Sequence, residues 1–175
     1  HQDFEMGGVS PTVEVFSNRV EISNPGEPIV PVERFIDGYQ SRNERLADLM
    51  RRFGICEEKS SGIDRVIESA ELMQLPAPEF LTGHKRTTVV IYGPRAFREM
   101  NGSDRVRACY QHCVLQYVLR KQMTNQSLRE RFGLSEGSSN TVSQIITATM
   151  EQRLVKNDPN APDSRRYARY IPIWA

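Results

Sequence analysis

Apolar residues between positions 106 and 118 recur at spacings of three and four, and this is the feature that most restricts the fold. The spacing matches the 3.6-residue turn of an α-helix and places the apolar side chains on one face. The residues of this face are Val106, Cys109, Tyr110, Cys113, Val114, Tyr117 and Val118. The pattern predicts a strongly amphipathic helix of about four turns.

The residues after this helix predict two more helices and a hairpin. Thr124 can cap a second, short helix, and Ser138 or Ser139 can cap a third. Residues 154–156 and 166–173 read as strands on either side of a loop rich in Pro, Asp and Asn. Three helices followed by a two-stranded hairpin is the order of a winged helix-turn-helix domain.

The first half of the chain has a mixed α and β pattern. Residues 12–16 and 19–23 alternate apolar and polar side chains around Ser17-Asn18, which predicts a hairpin. Asn24-Pro25-Gly26 is then expected to end the second strand. The further predicted elements are helices over 44–53 and from Gly62 to Leu75-Pro76-Ala77-Pro78, and a third strand over 86–92.

Charge is distributed unevenly between the two halves. Residues 104–175 contain 11 Lys and Arg against 6 Asp and Glu, a net charge of +5, whereas residues 1–103 have a net charge of −4. The turn signal Gly93-Pro94 lies near the change. We therefore predict two domains, residues 1–99 and 100–175, of which the second is a basic binding module.

The third helix of the second half is the candidate recognition helix for DNA. Its residues Val142, Ile145, Ile146 and Met150 are expected to face the core, which leaves a polar face that can bond base edges or phosphates. The predicted DNA-binding residues of this helix and its start are Ser138, Ser139, Asn140, Thr141, Ser143, Gln144 and Thr147. In the hairpin, Lys156, Arg165, Arg166 and Arg169 are expected to hold the phosphate backbone. The alternative is an ordinary solvated face with arginines that serve only solubility.

These features predict the partners of the chain. Double-stranded DNA is the expected ligand, and a homodimer is expected because winged-helix regulators commonly read paired half-sites. No membrane partner is expected, since no apolar run approaches the roughly 20 residues that a span needs.

Three cysteines, Cys56, Cys109 and Cys113, form a sparse and odd set without disulfide spacing, which is typical of a reducing compartment. A cytoplasmic protein is therefore predicted. Cys109 and Cys113 share a helix face with His112 beside them, so a metal site is an alternative. Their place on the apolar face favours burial in the core without metal.

Several motifs of the first half resemble one bacterial family in the same order. They are Arg19-Val20-Glu21-Ile22-Ser23-Asn24-Pro25-Gly26, Arg42-Asn43, Leu46-Ala47, Ser61-Gly62-Ile63, Arg65-Val66-Ile67-Glu68 and Leu75-Pro76-Ala77-Pro78-Glu79-Phe80. Residues 1–92 are similar to the family labelled "putative ATP-dependent DNA helicase, C-terminal", also called RecG-related transcriptional regulators. Its members usually carry a Schlafen/AlbA-like domain upstream and a winged helix downstream.

The resemblance implies a fold and a set of nucleotide-binding residues. The family's fold is related to the Bergerat fold of histidine kinases and gyrase-type ATPases, so the expected class is α+β, a degenerate Bergerat domain followed by a winged helix. Asn24 and Gly26 would be remnants of the first glycine box, and Ser61 and Gly62 of the second. The alternative for these residues is turn and cap geometry.

Two departures from the family argue against catalysis. The nucleotide-site helix with its Glu and Asn is expected upstream of His1-Gln2-Asp3-Phe4, and the usual Gly-Ser-Gly is Ser60-Ser61-Gly62 here. We therefore expect no catalytic residues and no cofactor in this chain, with ATP bound, if at all, by a longer parent protein.

Together these features predict a bacterial transcriptional regulator that binds DNA and does not hydrolyse ATP. An ATP-dependent, helicase-related enzyme is the first alternative. A dimerisation scaffold is the second.

Overall fold

The computed structural model describes residues 2–7, 10–38, 40–55, 62–162, 164 and 167–175. Its fold is α+β, as predicted. Contacts divide the chain into two compact units, residues 1–66 with 78–93 and residues 67–77 with 94–175. The division falls at Gly93 and Pro94 and again between Val66 and Ile67, while the domain boundary at 99 and 100 stays a prediction.

The first unit contains a four-stranded antiparallel sheet in the order β1-β2-β4-β3. Its strands are β1 (Thr12–Val15), β2 (Arg19–Pro25), β3 (Glu79–Gly83) and β4 (Arg86–Tyr92). The predicted hairpin around Ser17-Asn18 is confirmed, because β1 pairs with β2 from Thr12↔Ser23 to Val15↔Val20.

The end of β2 differs from the prediction, since Asn24 and Pro25 belong to the strand. They pair with Thr87 and Arg86 of β4, and the ladder ends one residue later at Gly26. Gly26 has a φ of +108°, a conformation that favours glycine, and its N–H donates to the carbonyl of Lys85 at 2.7 Å.

The strand β3 was not predicted. It forms a hairpin with β4 through His84 and Lys85, whose φ values are +50° and +58°. A two-residue turn with two left-handed residues usually contains Asn or Gly, so the sequence lacks the usual hairpin signal here. The segment forms a strand because its residues pair with β4, without a local turn signal.

Two helices complete the first half of the chain, α1 (Glu44–Arg52) and α2 (Gly62–Leu72). Both helices were predicted. The apolar face of α1 is not buried by the described residues, since Leu49 is 51% exposed and Phe53 is 72% exposed. In α2, Ile67 and Ala70 are buried, whereas Val66 is 37% exposed and Met73, just past the helix, is 68% exposed.

The second unit packs three further helices and a short hairpin around one core. They are α3 (Gly102–Val118), α4 (Asn125–Arg131), α5 (Ser139–Glu151), β5 (Val155–Asn157) and β6 (Tyr170–Pro172). The predicted helix α3 is confirmed, and Cys109, Cys113 and Val114 of its stripe are fully buried. The helix is not buried on one face alone, since Gln111 and His112 are buried too, and Tyr117 of the stripe is 38% exposed. Leu128, Val142 and Ile146 from α4 and α5 belong to the same core.

The hairpin differs from the prediction in length. The second strand was expected over 166–173, whereas β6 covers only Tyr170–Pro172. The difference lies at the start of the strand, since beyond Pro172 the N–H of Ile173 still donates to the carbonyl of Leu154 at 3.0 Å. Arg165 and Arg166 lie outside the described residues. Among those that are described, no helix has both the length and the apolar character to cross a membrane.

Candidate nucleic-acid interface

The predicted DNA-binding residues of α5 lie on its solvent side. Asn140, Ser143, Gln144 and Thr147 are exposed, as is Ser139, whereas Ser138 and Thr141 are partly buried. The opposite side of the helix is fixed in the core by Val142, Ile145, Ile146 and Thr149. This division follows from the 3.6-residue period, because polar and apolar residues alternate in register with the turns.

The start of α5 is not capped in the way the sequence suggests. Ser138 occupies the N-cap position, but its side chain makes no cap hydrogen bond. The predicted cap of α4 is confirmed, since the Thr124 hydroxyl accepts from the N–H of Ser127 at 3.1 Å and the Ser127 hydroxyl accepts from the N–H of Thr124 at 3.0 Å. These reciprocal bonds satisfy two backbone donors at the helix start.

A polar network that was not predicted joins α4 to α5. The side-chain amide of Asn125 donates to the carbonyl of Ser139 and to the hydroxyl of Ser143, both at 3.0 Å. Its oxygen accepts from the Ser139 hydroxyl at 3.2 Å and from Nε of Arg129 at 3.1 Å. An Asn at the first position of a short helix is the only sign of this network that the sequence contains.

The hairpin cations have different surroundings. The ammonium of Lys156 donates to the carbonyl of Ala175 at 2.6 Å, so it is partly engaged. Arg169 is exposed, and one of its terminal nitrogens donates to Gln122 at 3.1 Å. Gln122 in turn donates to the carboxylate of Asp158 at 3.0 Å. Of the two predicted hairpin cations that the structure describes, Arg169 is the more exposed.

A third short strand segment, also not predicted, borders the hairpin. Met123 forms an antiparallel bridge with Tyr170, with the N–H of Tyr170 donating to Met123 at 2.9 Å. The residue lies between α3 and α4 in the chain, so the segment before α4 lies beside the hairpin. A single bridge residue has no sequence pattern that could predict it.

The predicted nucleotide-binding residues that the structure describes lie at the end of β2 and at the start of α2. Asn24 is a partly buried strand residue, and Gly26 has both of its backbone polar groups bonded, its carbonyl to the Thr87 hydroxyl at 2.7 Å. Gly62 begins α2, and a Cβ built there would meet no atom of the described residues within 4 Å. Ser61 lies outside the described residues. No described hydrogen bond connects Gly62 with Asn24 or Gly26.

The Arg42-Asn43 motif forms a cluster that sequence reasoning did not interpret. Arg42 donates to the carbonyl of Glu27 at 2.6 Å and forms an ion pair with Asp3 at 3.3 Å. Asn43 donates to the carbonyl of Gln2 at 2.8 Å. The pair therefore ties the start of the described chain to the segment that follows β2.

A buried polar cluster surrounds His112 in the second unit. The two ring nitrogens of His112 contact a carboxylate oxygen of Glu71 at 2.9 Å and the Ser127 hydroxyl at 3.1 Å. The other carboxylate oxygen of Glu71 lies 3.5 Å from Nε of Arg131, which donates through a terminal nitrogen to the carbonyl of Leu75. These contacts fix the segment after α2 to α3 and α4.

Cys109 and Cys113 are free and buried, as the stripe predicts. Burial raises the pKa of the Cys109 thiol to about 12 and raises the pKa of the Cys113 thiol further. His112 is engaged elsewhere, and within the described residues no three His, Cys, Asp or Glu side chains form a set for a metal ion.

Comparisons with known proteins assign a class to the first half. The family described as "Putative ATP-dependent DNA helicase recG C-terminal" matches residues 8–91, just under half of the chain. This region is therefore similar to the ATPase-like domain of that family. No curated protein matches the chain.

One solved structure is similar over most of the chain. It is the DIP2311 protein from Corynebacterium diphtheriae, with a TM-score of 0.53 over 98% of this chain and 37% of that chain. The sequence identity is 14%, so the similarity concerns the fold alone.

Proposed function

We propose that the chain is a DNA-binding transcriptional regulator whose second unit is a winged helix that binds duplex DNA. The observation that carries the proposal is the two-sided character of α5. Val142 and Ile146 hold the helix in the core, while Asn140 in the first turn and Gln144 in the second are exposed. A fixed helix with an open Asn and Gln is suited to bond adenine edges in the major groove.

The order of elements supports the same proposal. The helices α3, α4 and α5 are followed by the hairpin β5–β6, and Met123 adds a strand segment before α4. This is the order of a winged helix, in which the hairpin reaches the phosphate backbone beside the recognition helix. The net charge of +5 over residues 104–175 is the sign that such a ligand requires.

We assign the ATPase-like domain a role in regulation or dimerisation without ATP turnover. Gly26 has its N–H bonded to Lys85, so this group is not open to a phosphate. For Gly62, the described residues include no close neighbour that would require a glycine. An ATP-dependent enzyme is the alternative, and the description of the matching family favours it.

The test for DNA binding uses the full chain and labelled duplexes, one selected from a random pool and one scrambled. Fluorescence anisotropy at several salt concentrations gives the affinity and its salt dependence. Gln144→Ala is expected to weaken binding to the selected duplex by about 5- to 150-fold, the equivalent of about 1–3 kcal/mol for a lost base contact. Gln152→Ala, at the other end of α5, is the matched control and should leave both affinities unchanged.

Hairpin variants test the backbone contacts separately. Arg169→Gln, and Arg165→Ala with Arg166→Ala, should weaken binding to both duplexes alike. Each lost phosphate contact should flatten the plot of log affinity against log salt by about 0.9 units. If the intact chain has no salt-sensitive affinity for any duplex, the second unit is a protein-interaction or dimer element and the proposal is wrong.

Phosphate release separates the regulator from the enzyme. We expect no steady-state release from ATP above background, with or without duplex DNA. Turnover that Asn24→Ala abolishes would establish the alternative. The oligomeric state measured by light scattering, with and without DNA, tests the proposed homodimer.

A further inference from the structure

The polar network at the start of α4 uses the hydrogen-bonding capacity of Asn125 in full. Its amide nitrogen donates to Ser139 and Ser143, and its oxygen accepts from Ser139 and Arg129. An Asn side chain has two donor hydrogens and two acceptor positions, so all four are occupied. Asn125 is therefore fixed in orientation, and it fixes its partners.

The network also sets the direction of two hydroxyl groups on α5. The Ser139 hydroxyl donates to Asn125, so its hydrogen is not available to a phosphate, which only accepts. The Ser143 hydroxyl accepts from Asn125, so its hydrogen remains free to donate. The exposed Ser143 is thus held as a donor beside Asn125.

Arg129 is oriented by the same amide. Its Nε donates to Asn125 four residues earlier, one helical turn away, and no described residue accepts from its two terminal nitrogens. The adjacent carboxylate of Glu130 is bonded by Gln126 instead, at 2.9 Å. A guanidinium that is fixed at Nε and open at its terminal nitrogens matches the fork by which arginine binds phosphate.

We infer that Arg129 binds a phosphate of the DNA backbone, and that Asn125 is the positioning residue which holds Arg129 and the Ser143 hydroxyl toward it. This inference rests on the proposed function and adds a contact from α4, which the predicted interface of α5 and the hairpin did not include. The ligand is a backbone phosphate diester, so the contact carries no base preference.

The test measures salt dependence with the full chain on the selected and scrambled duplexes. Arg129→Gln should flatten the plot of log affinity against log salt by about 0.9 units on both duplexes. Arg129→Lys keeps the charge and should keep the slope while lowering affinity, because Lys cannot form the Nε bond. Arg98→Gln, which removes a side chain of the same charge before α3 that is 87% exposed, is the control and should keep the slope.

A double-mutant cycle tests the role of Asn125. Asn125→Ala should weaken binding at every salt concentration, and adding Arg129→Gln should then cost less than it does alone, because the arginine has already lost its orientation. Unfolding midpoints of all variants separate this effect from a loss of stability. Additive effects of the two substitutions would overturn the positioning role.

Two outcomes distinguish this inference from the proposed function. If the intact chain binds DNA and Arg129→Gln leaves the salt slope unchanged, the inference alone is wrong. An equal change of slope in Arg98→Gln would also overturn it, since net charge would then explain the result. If the intact chain binds no duplex, the proposed function fails and the inference fails with it.

Discussion

The buried pair of Glu71 and Arg131 supports an asymmetric prediction about stability. The Arg131 side chain is 2% exposed, and its described hydrogen bond is the one to the carbonyl of Leu75, at 2.8 Å. Glu71 supplies the compensating charge. A carboxylate oxygen of Glu71 lies 3.5 Å from Nε of Arg131. Burial lowers the pKa of Arg131, and Glu71 opposes that shift. The guanidinium therefore depends on Glu71 to offset its desolvation.

Removing each partner should have a different cost. Glu71→Gln leaves a cation in the core without a counter-charge, and we expect a loss of about 3–5 kcal/mol from the free energy of unfolding. Arg131→Met leaves Glu71 with its contact to His112 at 2.9 Å, so the expected loss is about 1–3 kcal/mol. The difference between the two variants, about 2 kcal/mol, measures the unpaired buried cation.

Urea unfolding followed by tryptophan fluorescence is the assay. Trp174 is the single tryptophan of the chain and lies in the second unit, where its ring N–H donates to the Tyr110 hydroxyl at 3.2 Å. With a slope of about 1–3 kcal/mol per molar urea, the difference moves the midpoint by about 1 M. Glu68→Gln, on an exposed position of α2, is the control and should stay within about 0.5 kcal/mol of the intact chain. An Arg131→Met loss equal to or greater than that of Glu71→Gln would refute the reasoning.

Three further predictions concern the second unit, each measured by the urea midpoint. Thr124→Ala should cost about 1 kcal/mol because it removes a cap bond, whereas Ser138→Ala should change little because its side chain makes none; equal effects would contradict the capping argument. Gly133→Ala should cost about 1–2 kcal/mol, since Gly133 has a φ of +63° and an added Cβ would also displace a neighbouring side chain; an unchanged midpoint would show that the turn relaxes. For the thiols, unfolded cysteine ionises near pH 8.5, whereas buried Cys109 stays protonated to about pH 12. Stability from this thiol is fully present below about pH 8.5 and should fall by up to about 1.4 kcal/mol per pH unit above it, with Cys113 acting in the same direction. Replacing Cys109 and Cys113 with Ala should reduce this loss between pH 8 and 10.5, and an unchanged pH dependence would contradict the assignment.

Element types could be predicted where a long periodic pattern exists. The stripe of α3 and the alternating residues of β1 and β2 gave the correct elements, because spacings of 3.6 and 2 residues match the helix and the strand. The burial of β1 was not predicted in this way, since Val13 and Val15 are 66% and 77% exposed. The predicted polar face of α5 is exposed for the same reason. Short elements could not be predicted in this way, as β3 and the single bridge of Met123 illustrate.

The candidate site was only partly accessible to sequence reasoning. The exposure of Asn140 and Gln144 follows from the period of α5. The roles of Asn125 and Arg129 do not follow from any period. Asn125 bonds residues 14 and 18 positions away on α5, and Arg129 bonds Asn125 within α4. The role of Ser138 as a cap was also misjudged, because a residue type indicates that a hydroxyl can bond and not that it does.

The sequence by itself determined which faces of the helices are apolar, where the charge changes sign and which family the first half resembles. These properties depend on neighbouring residues or on composition, so they are complete before the chain folds. Only the tertiary structure decided that the end of α2 belongs with the second unit, that Glu71 meets His112 and Arg131, and that Asn125 joins α4 to α5. Such contacts join residues far apart in the chain, and they exist because buried polar groups must find partners after the core has formed.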